Sequence, residues 1–340
     1  MKKTVLFAFA CMLTLGASAQ FPGGMPMGGG MPPMGGGMPM MGGFAGFGGD
    51  QSSQTQAEYS EKFADINYAG DDQVYHNLDI YLPKEKKDKY PVVVHIYGSA
   101  WMSNNSKGAA DINTIVAACL NAGYAVVCPN HRSIADAKYP AQINDIKAVI
   151  RFVRANADKY KFDTSFIATS GFSSGGHLSS LCAMSNGVKV QKLGNAEYDI
   201  EGNVGPNTSY SSLVNAFCDW SGPVDLLHMD CGDAMIFGGP GQTPEENMIG
   251  LPKEGHEENF ILLSATGFID KDDVPGYIFH GDKDNVVASC VGQYFYDQLQ
   301  KAGVESYIKH EPEGGHGMGM YSEDNLKKMT DFLNKVRTGK

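Results

Sequence analysis

The stretch SFIATSGFSSGGHL, Ser165 to Leu178, narrows the choice of fold more than any other part of the chain. A short β-rich run meets a turn carrying three glycines and two adjacent serines, and an apolar helical pattern (Leu178, Leu181, Cys182) follows. A strand that turns sharply into a helix holds the residue at the turn in a strained conformation. Strand and helix then approach so closely that the residues two before and two after must be tiny. For Ser173 these are Gly171 and Gly175; for Ser174 they are Phe172 and Gly176. Only Ser173 satisfies G-x-S-x-G, so Ser173 is the candidate nucleophile. The bland alternative, a flexible Gly/Ser loop, does not account for the strand before it and the helix after it. The Ser174 main-chain N–H, at the helix start, can donate to a developing oxyanion. His177 lies one helical turn beyond the tip and reads as structural.

The rest of the chain supplies the setting. YPVVVHIYG is a near-continuous apolar run, as a buried central strand requires, and YAVVCPN is the next. Between them Ile112, Ile115, Val116 and Leu120 recur at helical spacing. Ile143, Ile146, Ile150 and Val153 mark an amphipathic helix. Strands are expected at VNAFCDW, GYIFHGD and ESYIKHE, and helices over 289–302 and 322–336. Strands alternating with helices specify an α/β fold with a mostly parallel sheet. The connector from Pro223 to about Leu263 is long for such a sheet and reads as a short lid-like insertion. Within it, HMDCGD offers ligand-type side chains, but their spacing fits no closed zinc site, so no metal is expected.

A serine hydroxyl needs a base, and the base an orienting acid. In strand-elbow enzymes of this kind the order along the chain is serine, acid, histidine. HEPEGGHGMGM places His316 in a glycine-rich loop between the last strand and the last helix, where an imidazole can reach over the sheet edge. His316 is therefore the candidate base, and His280 and His310 are packed strand residues. YIFHGDKDNVV offers two carboxylates. Asp284 lies at the loop tip ahead of Val286-Val287 and is the candidate acid; Asp282 braces the turn. HIYGSAW follows the central strand with three small residues, so Ser99 and Ala100 are candidate main-chain oxyanion donors beside Ser174. Gly98 and Trp101 are assigned to substrate binding, Trp101 packing beneath the loop or lining the pocket.

The 340 residues carry a formal charge of -11, which argues against nucleic acid or an anionic membrane as the main partner. MKKTVLFAFACMLTLGASAQ has a basic start, an apolar core too short to span a bilayer and an Ala-Ser-Ala cleavage site. Residues 1–19 thus read as a secretory signal peptide, and Cys11 makes a poor lipobox. Residues 20–60 read as a linker, Met-, Pro- and Gly-rich up to Asp50 and polar beyond, and 61–338 as the folded catalytic domain. The expected location is periplasmic or secreted, with no integral membrane segment after cleavage. Cys119, Cys128, Cys182 and Cys218 lie in apolar segments and read as buried thiols. Cys231 and Cys290, in loop-like or helix-start positions, are the candidate disulfide.

These residues resemble a known family. IYGSAW, HRSIADAKYPAQINDIKAVIRFVRANADKY, GFSSGGHL, DWSGPVDL, HGDKDNVV and the GGHG loop are similar to the α/β-hydrolase esterases related to hormone-sensitive lipase, most closely the secreted bacterial acetylxylan and feruloyl esterases. The resemblance runs from about Lys62 to Lys335. It implies an α/β-hydrolase fold, a serine esterase working without cofactor, and a small-molecule or polysaccharide ester as substrate. One departure is clear: the family's His-Gly-Gly-Gly-Trp is Tyr97-Gly98-Ser99-Ala100-Trp101 here. Main-chain donors survive that change. Two other readings stand beside the esterase: a serine peptidase of the prolyl-oligopeptidase type, whose usual propeller domain this length cannot hold, and a non-catalytic carbohydrate- or partner-binding protein on a hydrolase scaffold.

Overall fold

The computed structural model describes residues 56–107, 111–234 and 241–340. The expected leader, its cleavage site and the Met/Gly-rich part of the linker lie outside the described residues. Ten strands occur among the described residues: β1 (Tyr59–Asn67), β2 (Asn77–Pro83), β3 (Tyr90–Ile96), β4 (Ala125–Pro129), β5 (Phe162–Phe172), β6 (Val190–Leu193), β7 (Ala196–Asp199), β8 (Ala216–Trp220), β9 (Gly276–Gly281) and β10 (Ser306–Glu311). The α-helices among the described residues are α1 (Ala117–Asn121), α2 (Ala141–Ala155), α3 (Ala157–Tyr160), α4 (Ser174–Met184), α5 (Pro244–Ile249), α6 (Glu257–Leu263), α7 (Ser289–Ala302) and α8 (Glu323–Thr338).

Eight strands form one sheet in the order β1-β2-β4-β3-β5-β8-β9-β10, and β6 pairs with β7 in a separate hairpin. From β4 to β10 every pairing is parallel; β1 and β2 join antiparallel at one edge. This is the α/β-hydrolase arrangement that the resemblance implied. β1 starts two residues before the expected domain start, because Tyr59 packs edge-on against Tyr81 with ring centroids 5.3 Å apart.

The central strands are apolar on both faces because both are covered. Val92, Val94 and Ile96 of β3 pack with Ile143, Ile146, Ile150 and Val153 of α2 and with Leu178 and Leu181 of α4. Val93, one pleat over, faces the opposite layer with Ile115, Val116 and Leu120. There α8 supplies Met329, Phe332 and Leu333. Helix α8 begins where the Ser322 hydroxyl accepts the Asn325 N–H and ends at Gly339 in the left-handed conformation. All parallel strands point the same way, so the loops after β3, β5, β8, β9 and β10 gather at one edge of the sheet. In open α/β sheets that carboxyl edge is where ligands bind.

Candidate active site

Ser173 stands between the last residue of β5 and the first of α4, with φ 55° and ψ −125°. A non-glycine residue tolerates that backbone only when its surroundings enforce it. They do so by close approach. A Cβ on Gly171 would overlap the Gly175 carbonyl, and one on Gly175 would overlap the carbonyl of Ile96 in β3. The Ser173 N–H donates to the Trp220 carbonyl of β8 at 2.8 Å. The elbow is thus wedged between two neighbouring strands, and its side chain is thrust out over the carboxyl edge.

The loops after β9 and β10 meet it there. His316 Nε2 lies 2.9 Å from Ser173 Oγ, and His316 Nδ1 lies 2.8 Å from Asp284 Oδ2. An ionised carboxylate only accepts, so Nδ1 carries the proton and Nε2 receives the serine O–H. The other Asp284 oxygen accepts the N–H groups of Val286 and Val287, each at 2.9 Å. Burial pushes the Asp284 carboxyl up, but the His316 hydrogen bond, the neighbouring His316 and His280 rings and the Val287 N–H outweigh it and hold the group below its ordinary range. Asp284 and His316 are 7 % and 8 % exposed, so the chain of hydrogen bonds is shielded from water yet open at its serine end. Phe172 packs on the imidazole, centroids 4.8 Å apart, and fixes its plane.

The remaining histidines are committed elsewhere. His310 bonds to Asp282 at 2.8 Å and to Gln293 at 2.9 Å, which ties Asp282 to β10 and away from His316. His280 is buried and donates to the Val287 carbonyl at 2.9 Å, with the same nitrogen 3.6 Å from Asp284 Oδ2, so it backs the acid and does not reach Ser173. His177 is buried beneath the elbow, bonded to the Leu263 carbonyl at 2.7 Å; burial pushes it down to about 4, so it is a neutral packing residue. In the insertion, His228 bonds to Asp225 and Cys231 is joined to Cys290. Of the ligand-type side chains in HMDCGD, His228 and Cys231 are thus engaged in other bonds.

The oxyanion side departs from the sequence reading at three residues, Ser99, Gly98 and Trp101. The Ser99 N–H donates to Ser174 Oγ at 2.8 Å, so that donor is already used. The main-chain N–H groups of Ala100 and Ser174 have no partner among the described residues. Ala100 sits at φ 50°, a kink that turns the loop over the serine. Gly98 approaches so closely that a Cβ there would lie 2.8 Å from Ser173 Cβ; it gives clearance and offers no side chain to a substrate. Trp101, assigned to substrate binding, is 1 % exposed and stands edge-on to His177 at 5.1 Å. It packs beneath the loop, because the backbone kink at Ala100 and Trp101 turns the indole inward. Sequence reasoning missed Phe172, although the residue before the serine is the one placed to touch a base arriving from the far loop.

A nucleophile hydrogen-bonded to an oriented base, beside free main-chain donors, is equipped for acyl transfer. Comparisons with known proteins agree in kind. Esterase LipC of Mycobacterium tuberculosis is 27% identical over 274 residues, covering 77% of this chain and 59% of that protein. The chain spans about half the length of the curated relatives it matches. Among solved structures, a truncated carbohydrate esterase from gut microbiota is 44% identical with a TM-score of 0.79, covering 84% of this chain and 99% of that one. A bifunctional GH43-CE protein of Bacteroides eggerthii is 45% identical with a TM-score of 0.77, over 81% of this chain and 35% of that one. Residues 78–299, from the start of β2 to near the end of α7, match the BD-FAE family, and the chain belongs to that family.

Proposed function

We propose that this chain is an exported serine carboxylesterase that removes short-chain or aromatic acyl groups, acetyl or feruloyl, from plant polysaccharides. The observation that carries the reading is the continuous hydrogen-bonded chain from Ser173 through His316 to Asp284 at a strained elbow. The esterase names of the relatives, and the carbohydrate esterase names of the two structures, support the acyl and sugar parts. The leader-like start of the sequence and the Cys231–Cys290 disulfide support export to an oxidising compartment.

In this mechanism Ser173 Oγ attacks the ester carbonyl as His316 Nε2 takes its proton. Asp284 holds the imidazole in the tautomer that can accept and stabilises the imidazolium that forms. The Ser174 and Ala100 N–H groups receive the negative charge that develops on the carbonyl oxygen. His316 then protonates the leaving alcohol, and a water activated by the same nitrogen releases the acid.

The test is hydrolysis of a p-nitrophenyl acyl series and of acetylated and feruloylated xylan oligomers, by the wild type, Ser173→Ala and Ser174→Ala. Turnover lost only in Ser173→Ala supports the mechanism. A Ser173→Ala protein as active as the wild type would overturn it, and inertness on sugar esters with activity on simple esters would remove the polysaccharide part.

A further inference from the structure

The disulfide Cys231–Cys290 joins two segments 59 residues apart in sequence. Cys231 lies in the loop after β8. Cys290 is the second residue of α7, six positions after Asp284 and three after Val287. The acid loop is short: its first residues are held where the Asp282 and Lys283 N–H groups donate to the Glu311 and Gly314 carbonyls at 2.9 Å, and its far end runs into α7. Its hold on Asp284 is the pair of N–H groups from Val286 and Val287, and the Val287 carbonyl is in turn held by His280 at 2.9 Å. The next residues, Ala288 to Cys290, are pressed by the loop on the other side of the disulfide: a Cβ on Gly232 would lie 2.9 Å from Ala288 Cβ and 3.3 Å from Cys290 Sγ. That loop is itself anchored at its start: Leu226 is buried and its N–H donates to Ser264 Oγ at 2.8 Å, while Asp225 accepts the N–H groups of Leu227 and His228 at 3.1 Å within the same turn. The disulfide therefore couples an anchored loop to the far end of the segment that aims the acid.

We propose that Cys231 and Cys290 are positioning residues, whose disulfide braces the Asp284 loop so that the carboxylate stays aligned on His316. The inference rests on the esterase reading above and adds that catalysis depends on the oxidation state of this bond. Reduction is a two-electron exchange: two thiols of an added reductant become its disulfide, and the Cys231 and Cys290 sulfurs each leave as a thiol. The chemistry is selective among the described cysteines. Cys119, Cys128, Cys182 and Cys218 are buried free thiols, and burial pushes each of them up, away from the reactive thiolate.

The experiment treats the folded full chain with dithiothreitol, counts alkylated thiols, and measures kcat and KM on p-nitrophenyl acetate before and after. Amide hydrogen exchange at Val286 and Val287 is followed in parallel. The expected result is two new alkylated cysteines, a kcat lower by about tenfold or more with KM within about twofold, and faster exchange at both amides. Oxidised glutathione should restore all three. The double variant Cys231→Ser/Cys290→Ser should reproduce the loss and ignore reductant; if it does not fold, reduction of the folded wild type decides alone. Full kcat with unchanged exchange after confirmed reduction would overturn the brace. Should the oxidised protein hydrolyse no ester at all, the esterase reading fails, and the exchange rates at Val286 and Val287 still decide whether the disulfide holds the loop.

Discussion

Ser173 holds a conformation that costs stability, and a pair of variants isolates that cost. Ser173→Ala and Ser173→Gly both lose the hydroxyl and its bond to His316, so that loss cancels between them. Alanine keeps a Cβ at φ 55°, ψ −125°, while glycine occupies the region freely. Backbone strain of this type is worth about 1–3 kcal/mol. Against it stands the extra unfolded-state freedom of glycine, about 0.4–1 kcal/mol. The balance leaves Ser173→Gly more stable by about 1 kcal/mol, a rise of about 2 °C in Tm for a domain of this size. Denaturant and thermal unfolding of the two purified variants measure the difference directly. If Ser173→Gly unfolds at or below the temperature of Ser173→Ala, the elbow is not strained, and the close packing around it is an accommodation rather than a constraint.

Other expectations follow from single contacts. Asp284→Asn should lower kcat by about 10³–10⁴-fold with KM little changed, since the amide no longer enforces the required imidazole tautomer; steady-state kinetics on p-nitrophenyl acetate check it. Ser174→Ala should stay within about tenfold of the wild type, because the lost hydroxyl only occupies the Ser99 N–H while the Ser174 main-chain donor is kept; a loss as large as that of Ser173→Ala would assign the hydroxyl itself a role. Asp219, buried beside the elbow, is pushed up to about 7 by burial, only partly offset by the Gly222 N–H. Its folded value exceeds the ordinary unfolded one, so stability is fully present below about pH 4, falls as pH rises toward 7, and stays lost above; Asp219→Asn should remove that loss and gain about 2–4 kcal/mol over the wild type at pH 8 but little at pH 4, which unfolding curves across pH would show.

The layers of the fold were legible where burial imposes a period. The α2 face of Ile143, Ile146, Ile150 and Val153 and the span of α7 could be read because one side of each helix must meet the sheet. The edge strand β1 was not read, because YSEKFADIN is largely exposed and its charges hide the alternation. The β6–β7 hairpin did carry a signal: Gly194-Asn195 sits between the paired residues Leu193 and Ala196, a two-residue turn of the kind glycine and asparagine favour. At the site, residue order and loop position pointed to Ser173, Asp284 and His316, since in this fold nucleophile, acid and base follow one another along the chain in loops after strand ends. The fate of the Ser99 N–H was not legible. It depends on which way a hydroxyl 75 residues away points, and no local pattern encodes that. The inward turn of Trp101 was likewise set by two positive φ angles that the sequence Ser-Ala-Trp does not announce.

The two halves of the site are held by different means, and this predicts how each fails. The elbow is fixed by main chain against main chain: Gly171 against Gly175, and Gly175 against Ile96. No flexible side chain is present there to absorb an added atom. Gly175→Ala must therefore push strand β3 and helix α4 apart, an overpacking cost of about 1–3 kcal/mol or more felt by the whole sheet. The acid and base are fixed by hydrogen bonds and by side-chain packing on Phe172, contacts that can loosen while the sheet stays intact. Phe172→Ala should accordingly lower kcat with a modest loss of stability, whereas Gly175→Ala should lower the yield of folded protein while molecules that do fold keep their turnover number. Measuring active-site concentration with a covalent serine inhibitor, beside kcat for the titrated sites, separates the two. A Gly175→Ala protein that folds in full yield but turns over slowly would mean that the elbow bends to admit a methyl group, and that the rigidity assigned here to its backbone belongs to the loops instead.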